Sequence, residues 1–506
     1  MYQLSLFQHV LIVVLFLFPL LTLWKNFKSS ASKLPPGPWK LPLIGNLHQL
    51  VGSPLPHRSF RDMARKYGPV MTLELGEALT FVVSSVEAVR EVLQTNELSF
   101  AQRPTSIGLE AVSSDHPGLI SAPYGEYWRQ MRKICVIELL STKRVQSFRS
   151  VREEESWRLI DSISSSSHGQ VPINLSKMIF SVANAMIARA AFHKKCRDED
   201  EFIESLKVLV TNSTGLTVAD CFPSIKLLGY ITGLKPRLKT MKIKLYQILD
   251  DIIAEHKMKV QSTSKVDEED KQDLVDVLLN IQKSNAYKFE ITTNHLKLVI
   301  LDIFAAGSET AATTLEWGMS ELVKNPKILK KAQAEVRQVL GSKAKVEESD
   351  IQKLDYLKCV VKEILRLHAP VPFVARESRE RCEILGYEIP SKARIGVNVW
   401  ALGRDPEVWE DAESFQPERF IGSTVDLRGT NFEFLPFGAG RRMCPGITFA
   451  FANIELVLAQ LLYHFDWERP NGAKGEELDM SEVYGITCRR KDDLFLVANP
   501  VIHFVK

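Results

Sequence analysis

A chain of 506 residues with 45% hydrophobic side chains can bury a large core, which excludes a disordered chain or a small disulfide-stapled scaffold. Lys and Arg number 64 against 61 Asp and Glu, a net of +3, so attachment to nucleic acid by bulk charge is excluded and no nucleic-acid partner is expected. The seven cysteines, at positions 135, 196, 221, 359, 382, 444 and 488, form no C-x-x-C pair and no zinc spacing, and an odd, scattered set suits a reducing compartment.

Residues 2–24 contain no Asp, Glu, Lys or Arg, and residues 10–24 are almost wholly apolar, enough to enter or span a bilayer. Positive charges follow at Lys25, Lys28 and Lys33 instead of preceding the apolar run. That asymmetry reads as an N-terminal transmembrane anchor over residues 1–24, with the remainder on the cytoplasmic side, and not as a cleaved signal peptide. The sequons Asn174-Leu175-Ser176 and Asn212-Ser213-Thr214 test this, because glycans on them would put the domain in the lumen. Leu34-Pro35-Pro36-Gly37-Pro38 fixes φ and stiffens the chain, so residues 25–40 read as a basic, proline-rich hinge and residues 41–506 as one catalytic domain.

Within that domain, residues 70–75 and 80–83 are β-branched or apolar runs separated by Gly76-Glu77-Ala78, the pattern of a hairpin. Ser84 or Ser85 then caps a helix reaching about residue 95. Helical periodicity dominates the rest, with loops expected at residues 164–169 and 262–273 and a second strand-rich patch at 382–399. The expected fold is mainly α with small β-sheets.

Five stretches carry chemistry. Trp128-Arg129-Gln130-Met131-Arg132 puts an aromatic and a cation four apart on one helix face. Residues 296–323 form a long apolar stretch holding Ala305-Ala306-Gly307-Ser308-Glu309-Thr310. A mid-helix glycine costs about 1 kcal/mol relative to alanine, and small residues there make room for a bulky ligand. Glu309 and Thr310 offer an acid and a hydroxyl beside it, the groups that pass protons to bound dioxygen. Glu363 and Arg366 stand three apart on a helix, and Phe415-Gln416-Pro417-Glu418-Arg419-Phe420 follows. Finally, Phe434-Leu435-Pro436-Phe437-Gly438-Ala439-Gly440-Arg441-Arg442-Met443-Cys444-Pro445-Gly446 delivers one cysteine to the start of an apolar helical run, with Pro445 suited to its first turn. Arg441, Arg442 and the helix N-terminus favour the thiolate, and Gly438, Gly440 and Gly446 can take positive φ or press backbone against a flat cofactor. One cysteine cannot build a tetrahedral zinc site, but it can be the single protein ligand of a haem iron.

The pattern Phe437-x-x-Gly440-x-Arg442-x-Cys444-x-Gly446 resembles the cysteine-ligand loop of the cytochrome P450 family, and the resemblance covers essentially the whole chain after the anchor. It implies the cytochrome P450 fold and a haem b whose iron takes Cys444 as axial thiolate. Trp128, Arg132, Arg376 and Arg442 then match propionate contacts, Phe437 the aromatic over the thiolate side, and Gly446 the end of the cofactor loop. Glu309 and Thr310 match the oxygen-side acid and hydroxyl, although Ser308 stands where threonine is more usual and Ala311 where serine or threonine is. Glu363, Arg366 and Arg419 match a buried charge network behind the cysteine loop.

No Gly-x-Gly-x-x-Gly fingerprint opens a strand-to-helix unit, so electrons come from another protein. Resemblance to plant microsomal members implies NADPH-cytochrome P450 reductase as that partner, a membrane-lipid contact and an endoplasmic reticulum location, with Arg441 a candidate docking residue. The wording of residues 128–135 and 461–467 is similar to a plant group rich in terpenoid and alkaloid oxidases. By family position the pocket draws on residues 103–122, Ile303 and Phe304, residues 371–374 with Val371 and Phe373, and residues 485–486 with Ile486. The last three patches carry no charge, which favours a small hydrophobic substrate such as a sesqui- or diterpene, oxidised with O2, over a cationic alkaloid. A haem-thiolate isomerase or dehydratase working without O2, and a haem sensor, are the rival classes.

Overall fold

The computed structural model describes residues 33–53, 55–113, 117–166, 171–193, 198–262, 272–284 and 287–501. The expected anchor at 1–24 and the first part of the hinge lie outside the described residues. The described end of the hinge is docked along a strand edge: the Thr72 N–H donates to Pro36 O at 2.8 Å and its hydroxyl to Pro35 O at 2.8 Å. A Cβ at Gly37 would lie 2.1 Å from Thr72 O, so only glycine allows this approach.

That edge belongs to a four-stranded sheet of Val70–Leu75 (β1), Ala78–Val83 (β2), Phe373–Glu377 (β3) and Arg394–Asn398 (β4), in the order β1-β2-β4-β3. The expected hairpin is present, but Ala78 is its first returning residue, paired with Leu75, and the turn is only Gly76-Glu77, with Gly76 at φ +66°. β2 and β4 run parallel, which requires the long helical excursion between them, and β3 lies antiparallel to β4. Ser85 caps the next helix, its hydroxyl accepting from Ala88 N–H, and a π-helical turn, Glu91–Thr95, continues it to the expected end. The strand-rich patch at 382–399 resolves into Cys382–Ile384, Tyr387–Ile389 and β4. Of the expected serine-marked loops, residues 164–166 are the last turn of the helix Arg149–Ser166, and residue 262 ends the helix Leu234–Ser262. Residues 167–169 and 263–271 of these loops lie outside the described residues.

Five helices position the site: Glu126–Lys133 (α1), Leu175–Phe192 (α2), Thr293–Lys324 (α3), Asp355–Leu367 (α4) and Ile447–His464 (α5). α3 is the axis of the domain. Thr292 caps it with a reciprocal box, the hydroxyl accepting from His295 N–H while His295 Nδ1 accepts from the Thr292 N–H. Its first half packs into one apolar cluster with Phe192, Phe202 and Leu249, and its second half into another with Ile364, Leu456 and Leu461. A helix apolar on all sides belongs in a core or a membrane. α2, α3 and α5 are each long and apolar enough to cross a bilayer, yet 67% of each apolar window is buried within the domain, so all three are core helices.

Candidate active site

α3 is buried from Leu296 to Leu301 and again from Ala311 to Val323, but between these flanks Asp302, Ile303, Ala305, Gly307, Glu309 and Thr310 are half-buried and Ala306 is exposed. A helix through the middle of a domain that opens only at its centre borders an internal space. Thr310 Oγ1 donates to Ala306 O at 2.5 Å, and Glu309 Oε1 accepts from Thr487 Oγ1 at 2.6 Å, so acid and hydroxyl are held by different partners. Gly307 does not serve that space. A Cβ there would meet Ile187 Cδ1 of α2 at 2.9 Å, so the expectation that this glycine admits a ligand is corrected: it admits a neighbouring helix, and Ala306 is the residue open to the interior.

The cysteine loop closes on itself through Cys444 N–H to Phe437 O at 3.0 Å. Gly438 and Gly440 have φ of +70° and +67°, and a Cβ at Gly440 would lie 2.4 Å from Leu93 O. Gly446 differs from the expectation: it is the N-cap of α5 at φ −94°, which leaves Pro445 outside the helix. The Gly446 N–H instead donates to Cys444 Sγ at 3.3 Å. Burial pushes the Cys444 thiol up, opposed by that N–H and by Arg132. The cation that acts on the thiol is therefore Arg132, not Arg441 or Arg442. Arg442 turns to Ala101 O at 2.7 Å and Ala122 O at 2.6 Å, and Arg441 pairs with Glu97 at 2.6 Å, which neutralises the proposed docking charge. Phe437 packs its ring 5.8 Å from Phe451 on α5.

Above the loop, cations gather with no carboxylate partner among the described residues. The Arg132 and Arg442 guanidinium carbons lie 5.5 Å and 4.7 Å from the Trp128 ring centroid. Arg376, buried on β3, is held well below its ordinary range by burial and then by Arg103, Arg442 and Arg132. Burial pushes Arg103 down to about 10 and Arg442 to about 9. Among the described residues none of the four pairs with a carboxylate, and the buried Arg103 Nε and Arg442 Nη1 have no hydrogen-bond acceptor. Buried cations with orphaned donors cost several kcal/mol each unless an anion joins them. The two carboxylates of a haem are such an anion, so the residues present fit the group. Arg103 was missed in the sequence, where it marked only the start of a loop; no local pattern distinguishes it.

Behind the loop, Glu363 and Arg366 form a bidentate pair at 2.7 Å, both fully excluded from solvent. Arg419 Nε reaches Glu363 Oε1 at 3.0 Å, and the Gln416 N–H donates to the same oxygen at 2.7 Å. Arg366 further donates to the carbonyls of Gly403, Ala412 and Ser414. The guanidinium lies over Trp409, whose ring meets Phe420 and Phe434, and Phe434 opens the cysteine loop.

The pocket positions divide. Ile303, Val371 and Ile486 are half-buried; the segments of Val371 and Ile486 meet where the Cys488 N–H donates to Pro370 O at 2.8 Å, and Thr487 Oγ1 ties the latter to Glu309 of α3, six residues beyond Ile303. Phe304 is 2% exposed and packs against Phe192 and Phe202, with ring centroids 6.1 Å and 4.8 Å away, so it belongs to the core. Phe373 turns to the opposite sheet face from Arg376, against Phe60 at 5.3 Å, and covers Gly396. The patch around Ile303 is not free of charge either. Asp302 accepts from Ile120 N–H at 3.3 Å, tying the loop at 117–122 to α3, and burial pushes its carboxyl up to about 7. An acid isolated among the apolar residues 298–307 was the available signal.

The family model for cytochrome P450 matches residues 35–497. The chain is a cytochrome P450. It is 53% identical to a melianol synthase of Ailanthus altissima over 97% of this chain and 95% of that one. It is 51% identical to desmethyl-deoxy-podophyllotoxin synthase of Sinopodophyllum hexandrum, over 98% and 96%, and 48% identical to premnaspirodiene oxygenase of Hyoscyamus muticus, over 96% of each. A solved zebrafish cytochrome P450 superposes with a TM-score of 0.72 at 25% identity, covering 88% of this chain and all of that one. The fold is thus the mainly helical cytochrome P450 fold with small sheets, and the cofactor is a haem with cysteine thiolate ligation. This cytochrome P450 is a membrane-associated monooxygenase of plant specialised metabolism that takes electrons from a redox partner and uses O2.

Proposed function

We propose that this cytochrome P450 oxidises an apolar terpenoid, with Cys444 as the thiolate ligand, Arg103, Arg132, Arg376 and Arg442 holding the propionates, Trp128 and Phe437 packing the cofactor, and Glu309 and Thr310 handling protons. The bound haem supplies dioxygen activation. The observation that carries this is the four-arginine cluster that pairs with no carboxylate among the described residues, together with a thiol that one of the four, Arg132, draws down. Glu363, Arg366 and Arg419 keep the segment behind the cysteine loop rigid. Ile303, Val371 and Ile486 face the substrate, whereas Phe304 and Phe373 support the walls. Asp302 is already engaged, because two backbone N–H groups occupy its carboxyl, and burial raises it against ionisation. An apolar substrate is favoured, in line with the names of the melianol synthases and the premnaspirodiene oxygenase.

Electrons come from NADPH through a membrane-bound reductase, and residues 1–24 anchor the chain in the endoplasmic reticulum with the domain on the cytoplasmic face. Two observations support the orientation and the lipid contact. The amides of both sequons are engaged, Asn174 Nδ2 with Asp493 and Asn212 Nδ2 with Val208 O, each at 2.7 Å. Exposed Trp39 stands at the end of the hinge and exposed Leu43 and Val51 follow it, and exposed Leu227, Tyr230 and Ile231 lie across the Gly76-Glu77 turn, which bonds to Ile44 O on one side and Ser224 on the other. Such a patch suits a lipid surface. The test is mass spectrometry of products after co-expression with a reductase and a panel of terpene synthases. A new oxygenated terpenoid is expected, and turnover confined to basic alkaloids would overturn the substrate class.

A further inference from the structure

Glu309 is the acid of the site, yet its carboxylate does not meet the neighbouring hydroxyl. Thr310 spends its hydroxyl proton on Ala306 O, and the contact to Glu309 comes from Thr487, 178 residues away and 5% exposed. Thr487 is itself tightly placed. The strands Glu482–Val483 and Arg489–Arg490 pair antiparallel, leaving a loop of five residues from Tyr484 to Cys488. Its first post is fixed by Glu482, which accepts from His57, Arg58 and Cys488 Sγ. Tyr484 stacks on His57 with ring centroids 5.8 Å apart. The second post is Cys488, whose N–H donates to Pro370 O while its carbonyl accepts from Trp317 Nε1. Between the posts, the Ile486 side chain is left half-buried, and the next residue holds Glu309.

We propose that Thr487 is the positioning residue of the distal acid: its hydroxyl fixes the Glu309 carboxylate to the loop whose tip, Ile486, faces the substrate. This rests on the reading of Glu309 as the proton-handling acid. A carboxylate on a flexible two-carbon stem has several rotamers, and a single donor at 2.6 Å on a braced loop selects one of them. Contact of an apolar substrate with Ile486 reaches the acid through one peptide unit, so pocket occupancy and proton handling share a support. The helix hydroxyl cannot substitute, since Thr310 is committed within its own turn.

The test uses the full-length holoenzyme, reduced and bound to carbon monoxide, with the infrared C–O stretch as a probe of polar groups on the oxygen side. Thr487→Val keeps the shape and removes the donor, Thr487→Ser keeps the donor, and Thr487→Ala serves as a second donorless variant. Wild type and Thr487→Ser are expected to share one narrow C–O band, while Thr487→Val and Thr487→Ala split or broaden it, with thiolate-type absorption retained in all four. Glu309→Leu is expected to move the band. A Glu309→Leu shift together with wild-type bands in both donorless variants overturns the positioning role and leaves the acid in place. An unmoved band in Glu309→Leu overturns the reading of Glu309 itself, and the role of Thr487 with it.

Discussion

Glu363 and Arg366 meet through two parallel hydrogen bonds of 2.7 Å with both side chains shut off from solvent. On a solvated helix an i, i+3 pair contributes only about 0.2–0.5 kcal/mol. Burial changes the scale, because Arg366 and Arg419 would both be stranded by Glu363→Ala, and breaking a buried pair costs about 3–5 kcal/mol. That variant is expected to lose most of its haem, read from the haem-to-protein absorbance ratio and from thermal unfolding. Full haem content would contradict the structural role of the network.

The arginine cluster predicts opposite effects with and without cofactor. Arg376→Leu removes one buried cation from a group of four that repel one another. The haem-stripped chain should therefore unfold at a higher temperature than its parent, whereas the loaded variant should release haem faster to an acceptor globin. A variant stabilised or destabilised equally in both states would speak against propionate binding.

Asp302 gives a pH prediction with a definite sign. Its carboxyl titrates at about 7 in the folded chain against an ordinary 3.8, so between those values the folded state holds a proton that the unfolded state has released. Stability from this group is present at low pH and falls as pH rises through that window, by at most about 1.4 kcal/mol per pH unit. Thermal midpoints measured between about pH 5 and 8 should decline less in Asp302→Asn than in wild type. Parallel curves would show that this carboxyl ionises normally.

Phe304 and Ile486 separate packing from selection. Phe304→Ala empties a site among Phe192 and Phe202 and should cost about 3–5 kcal/mol of stability, seen as a lower thermal midpoint. Ile486→Ala should leave the midpoint nearly unchanged and alter the product distribution. The reverse pattern would exchange the two roles.

The sequence made legible whatever is written in short, contiguous patterns. The cysteine loop, the Glu363–Arg366 spacing, the Trp128–Arg132 face and the apolar run of α3 are each written in one contiguous stretch, and each is found where the pattern implied. What it concealed depends on contacts between distant segments. Arg441 looked like a free surface cation because Glu97 is 344 residues away. Gly307 looked like a ligand clearance because Ile187, the side chain it makes room for, lies on another helix. Phe304 and Phe373 sat in the right segments for a pocket, but helix phase and strand alternation turn them to Phe202 and Phe60. Arg103 and Thr487 carry no local signal, since their partners are assembled only by the fold.

The central claim, a haem-thiolate monooxygenase with Cys444 as ligand, is tested most directly by turnover of the reductase-supported enzyme under heavy-isotope dioxygen, comparing wild type with Cys444→Ala. The account predicts product carrying one labelled oxygen atom from wild type, and neither product nor thiolate-type reduced carbon-monoxide absorption from Cys444→Ala. Unlabelled product formed without NADPH or reductase, or thiolate-type absorption surviving in Cys444→Ala, would contradict it.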